Sequence, residues 1–72
     1  MKDEKFTLKE QEEYIRLCDL LKMCGAFDTG GQAKVAIQSG EVSVNGEICV
    51  QRGKKMRRGD IAVYNGTNFE VC

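Results

Sequence analysis

Histidine, proline and tryptophan are all missing from this 72-residue chain, and the missing histidine removes the most chemistry. Without it the mixed cysteine–histidine zinc sets cannot be built, and no imidazole can activate a serine or cysteine nucleophile. No paired carboxylates fall within a recognisable motif, and no glycine-rich nucleotide loop follows a predicted strand. The chain is therefore not expected to be an enzyme. No run approaches the ~18 apolar residues of a membrane-crossing helix. The opening stretch MKDEKFTLKEQEEY is too polar for the apolar centre of a secretory signal. A cytoplasmic location with no membrane partner is expected.

Cysteine is present but scattered: Cys18, Cys24, Cys49 and Cys72 stand singly, with no Cys-x-x-Cys pair. An all-thiolate metal site or two disulfides could be drawn from four residues. Their spacing is not that of a metal knuckle, however, and cytoplasmic thiols stay reduced. They read as small apolar side chains in or near the core, and neither metal nor cofactor is expected.

What is present suits a single small domain spanning residues 1–72. A chain of this size buries only about 60% of its unfolded surface, which favours a shallow binding face over a deep cleft. Residues 1–7 are charged and unpatterned and are expected to fray. From Leu8 to about Met23 the spacing predicts a helix, with Leu17, Leu20, Leu21 and Cys24 at i, i+3, i+4 and i+7 and Tyr14 one turn earlier. Gly25 closes it. Thr29 with Gln32 forms a capping-box pattern, which opens a second helix through QAKVAIQS, with Ala33, Ala36 and Ile37 on one face and Gly40 at its end. The period then changes. EVSV and EICV flank Asn45-Gly46, and IAVY and TNFEV flank Asn65-Gly66, two strong hairpin signals. In the first hairpin Val42, Val44 and Cys49 share one face, Ile48 and Val50 the other, and either could be buried. The expected fold class is α+β: a helix-turn-helix pair packed on a small twisted antiparallel sheet.

Two stretches carry the functional signal. In TGGQAK, Gly30 and Gly31 fall in the first turn of a helix, where free N–H groups and the helix dipole attract anions. Lys34 leans back over the same turn. The bland alternative is that these glycines merely permit a tight turn between helices. The second stretch, QRGKKMRRGD, holds Arg52, Lys54, Lys55, Arg57 and Arg58 with no acid among them. A solubilising loop would interleave charges, as the first predicted helix does, whereas a one-sign run favours a surface that meets an anion. Met56 among these charges is expected to point inward and pin the loop. Net charge is zero, yet from Gly30 to Arg58 only Glu41 and Glu47 are acidic, so the neutral total conceals a basic side.

Residues 17–63, in particular TGGQAK, the Gly40–Glu47 run G-x-V-x-VNGE, RGKK and RRGD in that order, resemble the S4 domain. This is the small RNA-binding module of ribosomal protein S4, pseudouridine synthases and tyrosyl-tRNA synthetases. The chain is most similar to the short stand-alone bacterial type (YbcJ/YaaA-like). The resemblance implies an S4-like (αL) fold and a non-catalytic RNA-contacting surface made of Gly30, Gly31, Gln32 and Lys34 with Arg52, Lys54, Lys55, Arg57 and Arg58. It implies structured RNA, ribosomal or transfer RNA, as the partner. Apart from the resemblance, a monomer is expected, with a larger ribonucleoprotein as a further candidate partner. Many S4 domains carry an arginine near the position of Gly30, which this chain lacks. In this resemblance VNG and GD serve the fold. Tyr64 is open to two readings, packing in its hairpin or stacking on an unpaired base. The competing class is a protein-interaction adapter, using the acidic first helix (Glu10, Glu12, Glu13, Asp19) or an open sheet edge. Residues 61–71 provide a fold test: were they helical, the resemblance would fail.

Overall fold

The computed structural model describes residues 2–72. The elements run β1 (Lys2–Phe6), β2 (Ile15–Arg16), α1 (Leu17–Met23), α2 (Gly30–Gln38), β3 (Val42–Val44), β4 (Glu47–Ile48), β5 (Lys55–Met56), β6 (Ile61–Tyr64) and β7 (Thr67–Val71). Residues 61–71 thus form strands, as the S4 reading requires.

Both hairpins form where the Asn-Gly pairs predict them. Asn45 and Asn65 each take φ 51°, and Gly46 and Gly66 take φ 88° and 78°, the paired positive-φ geometry of a type I′ turn. The two hairpins join through β3 and β6, and the five-stranded sheet has the order β1-β7-β6-β3-β4. One face of it is buried. Val42, Val44, Ala62, Phe69 and Val71 meet Leu17, Leu20, Leu21 and Ile37 from the helices. This settles the first hairpin: Val42 and Val44 face the core, whereas Ile48 and Val50 are 71% and 54% exposed.

Both helices end in the same way. The Gly25 and Ala26 N–H groups donate to Lys22 O and Leu21 O, and those of Gly40 and Glu41 to Ile37 O and Ala36 O, the paired closing bonds of a Schellman motif.

Three expectations are corrected at the N-terminus. Residues 1–7 do not fray throughout. Lys2–Phe6 pairs in parallel with β7, from Lys2↔Thr67 to Phe6↔Val71, so the sheet is mixed and not wholly antiparallel. Phe6 packs on the core, which explains why a charged segment is ordered; Met1 lies outside the described residues. The first helix begins at Leu17, not Leu8. Residues 8–14 form instead a strap held by tertiary bonds: Leu8 is buried, its N–H donates to Cys72 O, and Ile15–Arg16 pairs with Lys55–Met56. Of the four acids assigned to a first-helix face, only Asp19 lies on α1, while Glu10, Glu12 and Glu13 belong to the strap.

Candidate nucleic-acid interface

The start of α2 is built from local bonds. Thr29, extended at φ −135° and ψ 157°, accepts the Gln32 N–H through Oγ1 at 3.3 Å. Gln32 Oε1 in turn accepts the Asp28 N–H at 3.1 Å, one residue earlier than in the usual capping box. Gly30 and Gly31 do not lie in the left-handed region. A Cβ would meet nothing within 4 Å at Gly30, and only Thr29 Oγ1 at 3.8 Å at Gly31. Neither strain nor tight packing requires glycine at these positions. Each nonetheless costs the helix about 0.5–1 kcal/mol relative to alanine. The consequence is two exposed residues of bare backbone at the positive end of a helix. Lys34 is half-buried in the next turn.

The basic loop is held from a distance. Met56 is fully buried and lies opposite Ile15 in the β2–β5 ladder, the inward anchor its apolar character predicts. Arg16 makes no side-chain cap at the start of α1; instead Leu17 N–H donates to Lys54 O at 2.9 Å and Cys18 N–H to Arg52 O at 3.1 Å. Loop carbonyls thus satisfy two of the amides that the start of a helix leaves without intrahelical partners. On the far side Asp60 accepts the Arg57 N–H at 2.8 Å and the Asn45 side-chain amide at 3.1 Å. Asn45 Oδ1 accepts the Ile61 N–H at 3.0 Å. The asparagine of VNG and the aspartate of GD are one joint, tying the first hairpin turn to the loop.

The five loop cations are exposed but not equivalent. Arg52, Lys54 and Arg57 enter the network through backbone atoms. Lys54, Lys55 and Arg57 line a shared groove of about 560 Å³ with Gln51, Gly53 and Asp60. The Lys55 ammonium lies 5.1 Å from the ring centroid of Tyr14. Arg58 is directed elsewhere: its guanidinium donates to Glu12 O at 3.2 Å and Lys9 O at 2.9 Å, clamping the strap. No local signal reveals that clamp or the Tyr14 contact, because both join residues about forty or more positions apart.

The two halves of the sequence-predicted surface lie on different elements. Gly31 and Gln32 border a separate groove of about 610 Å³ with Phe27 and Tyr64. Tyr64 packs there, its ring 4.8 Å from that of Phe27 at 44°, which answers the packing alternative for this residue. The loop caps the N-terminal end of α1, and α2 follows the C-terminal end.

The cysteines are all free and half-buried. Burial pushes the Cys24 thiol up, and the Glu4 carboxylate adds to the shift, so Cys24 is held as a thiol, the less reactive form. Among the described residues no helix is long and apolar enough to cross a membrane, and no group of three or more potential ligand residues is placed to hold a metal ion.

Residues 6–72 match the S4 domain family. The chain is 36% identical over 58 residues to YbcJ of Escherichia coli (strain K12), named as a candidate RNA-binding protein; the match covers 81% of this chain and 83% of that one. YbcJ of Shigella flexneri matches with the same identity and coverage. The solution structure of E. coli YbcJ, described as revealing an alfaL motif involved in RNA binding, superposes with a TM-score of 0.69 at 34% identity. That superposition covers 93% of this chain and 84% of YbcJ.

Proposed function

We propose that this chain, which belongs to the S4 domain family, is a non-catalytic RNA-binding module that grips the phosphate backbone of structured RNA, with ribosomal or transfer RNA as the class of target. The observation that carries this reading is the basic loop. Its backbone is fixed by Met56, by α1, by Asn45–Asp60 and by the strap, while Arg52, Lys54, Lys55 and Arg57 remain exposed. A solubilising loop has no need of such fixing; an anion site gains from it, because pre-ordered donors lose less entropy on binding. Gly30, Gly31, Gln32 and Lys34 supply the second contact, where amides meet a phosphate and no Cβ intervenes. Phosphate and sugar contacts of this kind read the shape of folded RNA more than its base sequence. Arg58 contributes by holding the strap. The module works as a cytoplasmic monomer, alone or within a ribonucleoprotein.

A labelled RNA hairpin titrated at several salt concentrations tests this. Lys34, Arg52, Lys54, Lys55 and Arg57 neutralising about five phosphates give a log–log slope of about −3.5 to −4.5. The triple variant K54A/K55A/R57A is expected to retain about −1.4 to −1.8. Equal slopes for the two proteins would take the loop out of the interface. The adapter reading keeps one observation in its favour, exposed Ile48 and Val50 at the short β4 edge; salt-insensitive binding to a protein and none to RNA would establish it instead.

A further inference from the structure

We propose that Tyr14 receives an unpaired nucleobase of the bound RNA, stacking it beside the basic loop; the inference rests on the function proposed above. Burial accounts for the other four aromatic rings. Phe69 belongs to the core, and Phe6, Phe27 and Tyr64 pack against it. Tyr14 is not in that cluster. It precedes β2, and the pairing of Ile15–Arg16 with Lys55–Met56 carries it to the middle of the cationic loop. There it is half-exposed, with the Lys55 ammonium 5.1 Å from its centroid. A single cation covers at most one face of a ring. An aromatic set among cations beside a phosphate-binding groove is the arrangement by which single-stranded nucleic acids are held: cations take the backbone and the ring takes a base, with little regard to base identity. Paired bases are stacked inside their helix, so the RNA that gains from Tyr14 is one with a loop, bulge or frayed end next to the gripped phosphates.

The test compares an RNA hairpin with a blunt duplex of the same stem, using Tyr14→Leu, which keeps apolar bulk, and Tyr14→Phe, which keeps the ring. Y14L is expected to weaken hairpin binding by roughly 5- to 100-fold with the salt slope unchanged, since stacking releases no counterions. Y14F should bind as the parent does, and duplex binding should be equal in all three. An equal loss on hairpin and duplex, or none for Y14L, would overturn the inference. Should Y14L fail to fold, the chain's own fluorescence decides: with no tryptophan and two tyrosines, Tyr64→Phe leaves Tyr14 as the sole reporter. Its emission, corrected for RNA absorbance, is expected to fall on adding the hairpin. Unchanged emission while the anisotropy of labelled RNA rises would sink the Tyr14 assignment alone, whereas no rise with any RNA would remove the RNA-binding function and this inference with it.

Discussion

The start of α2 and the basic loop both present exposed hydrogen-bond donors, but they are constructed in opposite ways. At α2 every supporting bond is local: Thr29 to Gln32 and Gln32 to Asp28 span three and four residues. In the loop the supports reach back 15 residues to Asn45, 37 to Leu17 and 49 to Lys9. The α2 half would be present in any context that lets the helix form. The loop half exists as a surface only once the rest of the chain has folded around it, so its affinity for an anion is coupled to the stability of the domain.

The sharpest way to break that contrast is Met56→Ala. Removing a fully buried methionine costs about 2–5 kcal/mol, a large share of what a domain of this size has. Denaturant unfolding should show the loss, and hydrogen exchange should rise first in residues 52–58. If protection fell equally at α2's start, the two halves would not be independent. Arg58→Ala comes next, expected to cost about 1–2 kcal/mol through two lost charge-assisted bonds. Limited proteolysis should then cut between Leu8 and Tyr14, and an uncut strap would show that Leu8 and the β2–β5 pairing hold it without the clamp. The smallest effect carries the most distinctive sign. Because the added methyl group meets nothing within 4 Å at Gly30 and only an ordinary contact with Thr29 Oγ1 at 3.8 Å at Gly31, Gly30→Ala and Gly31→Ala should each raise stability by about 0.5–1 kcal/mol while weakening RNA binding. Thermal unfolding read alongside anisotropy separates the two; tighter binding by the stabilised protein would remove α2's start from the interface.

The legible parts of the molecule were those with short-range causes. The capping residues at Thr29 and Gln32, the two Asn-Gly turns, the inward Met56 and the run of loop cations could all be read from neighbours in the chain. The S4 resemblance joined them in the right order. The misread parts lie at residues 1–16. KEQEEYIR has good helix formers and no breaker, yet it is not helical, because Arg58 takes the Lys9 and Glu12 carbonyls and β5 takes Ile15–Arg16 into a ladder. Helix propensity is worth only a few tenths of a kcal/mol per residue, less than one such bond, so distant partners prevail. Tyr14 was assigned to a helix face for the same reason.

Sequence alone therefore determined where positive charge gathers and where the chain turns, since charge, glycine and asparagine act through chemistry they carry locally. Tertiary structure decided which cations remain free, which one becomes a clamp, which hairpin face is buried and which aromatic joins the basic surface. Each of those outcomes depends on partners tens of residues away, whose meeting is set by packing of the whole core and not by any local preference.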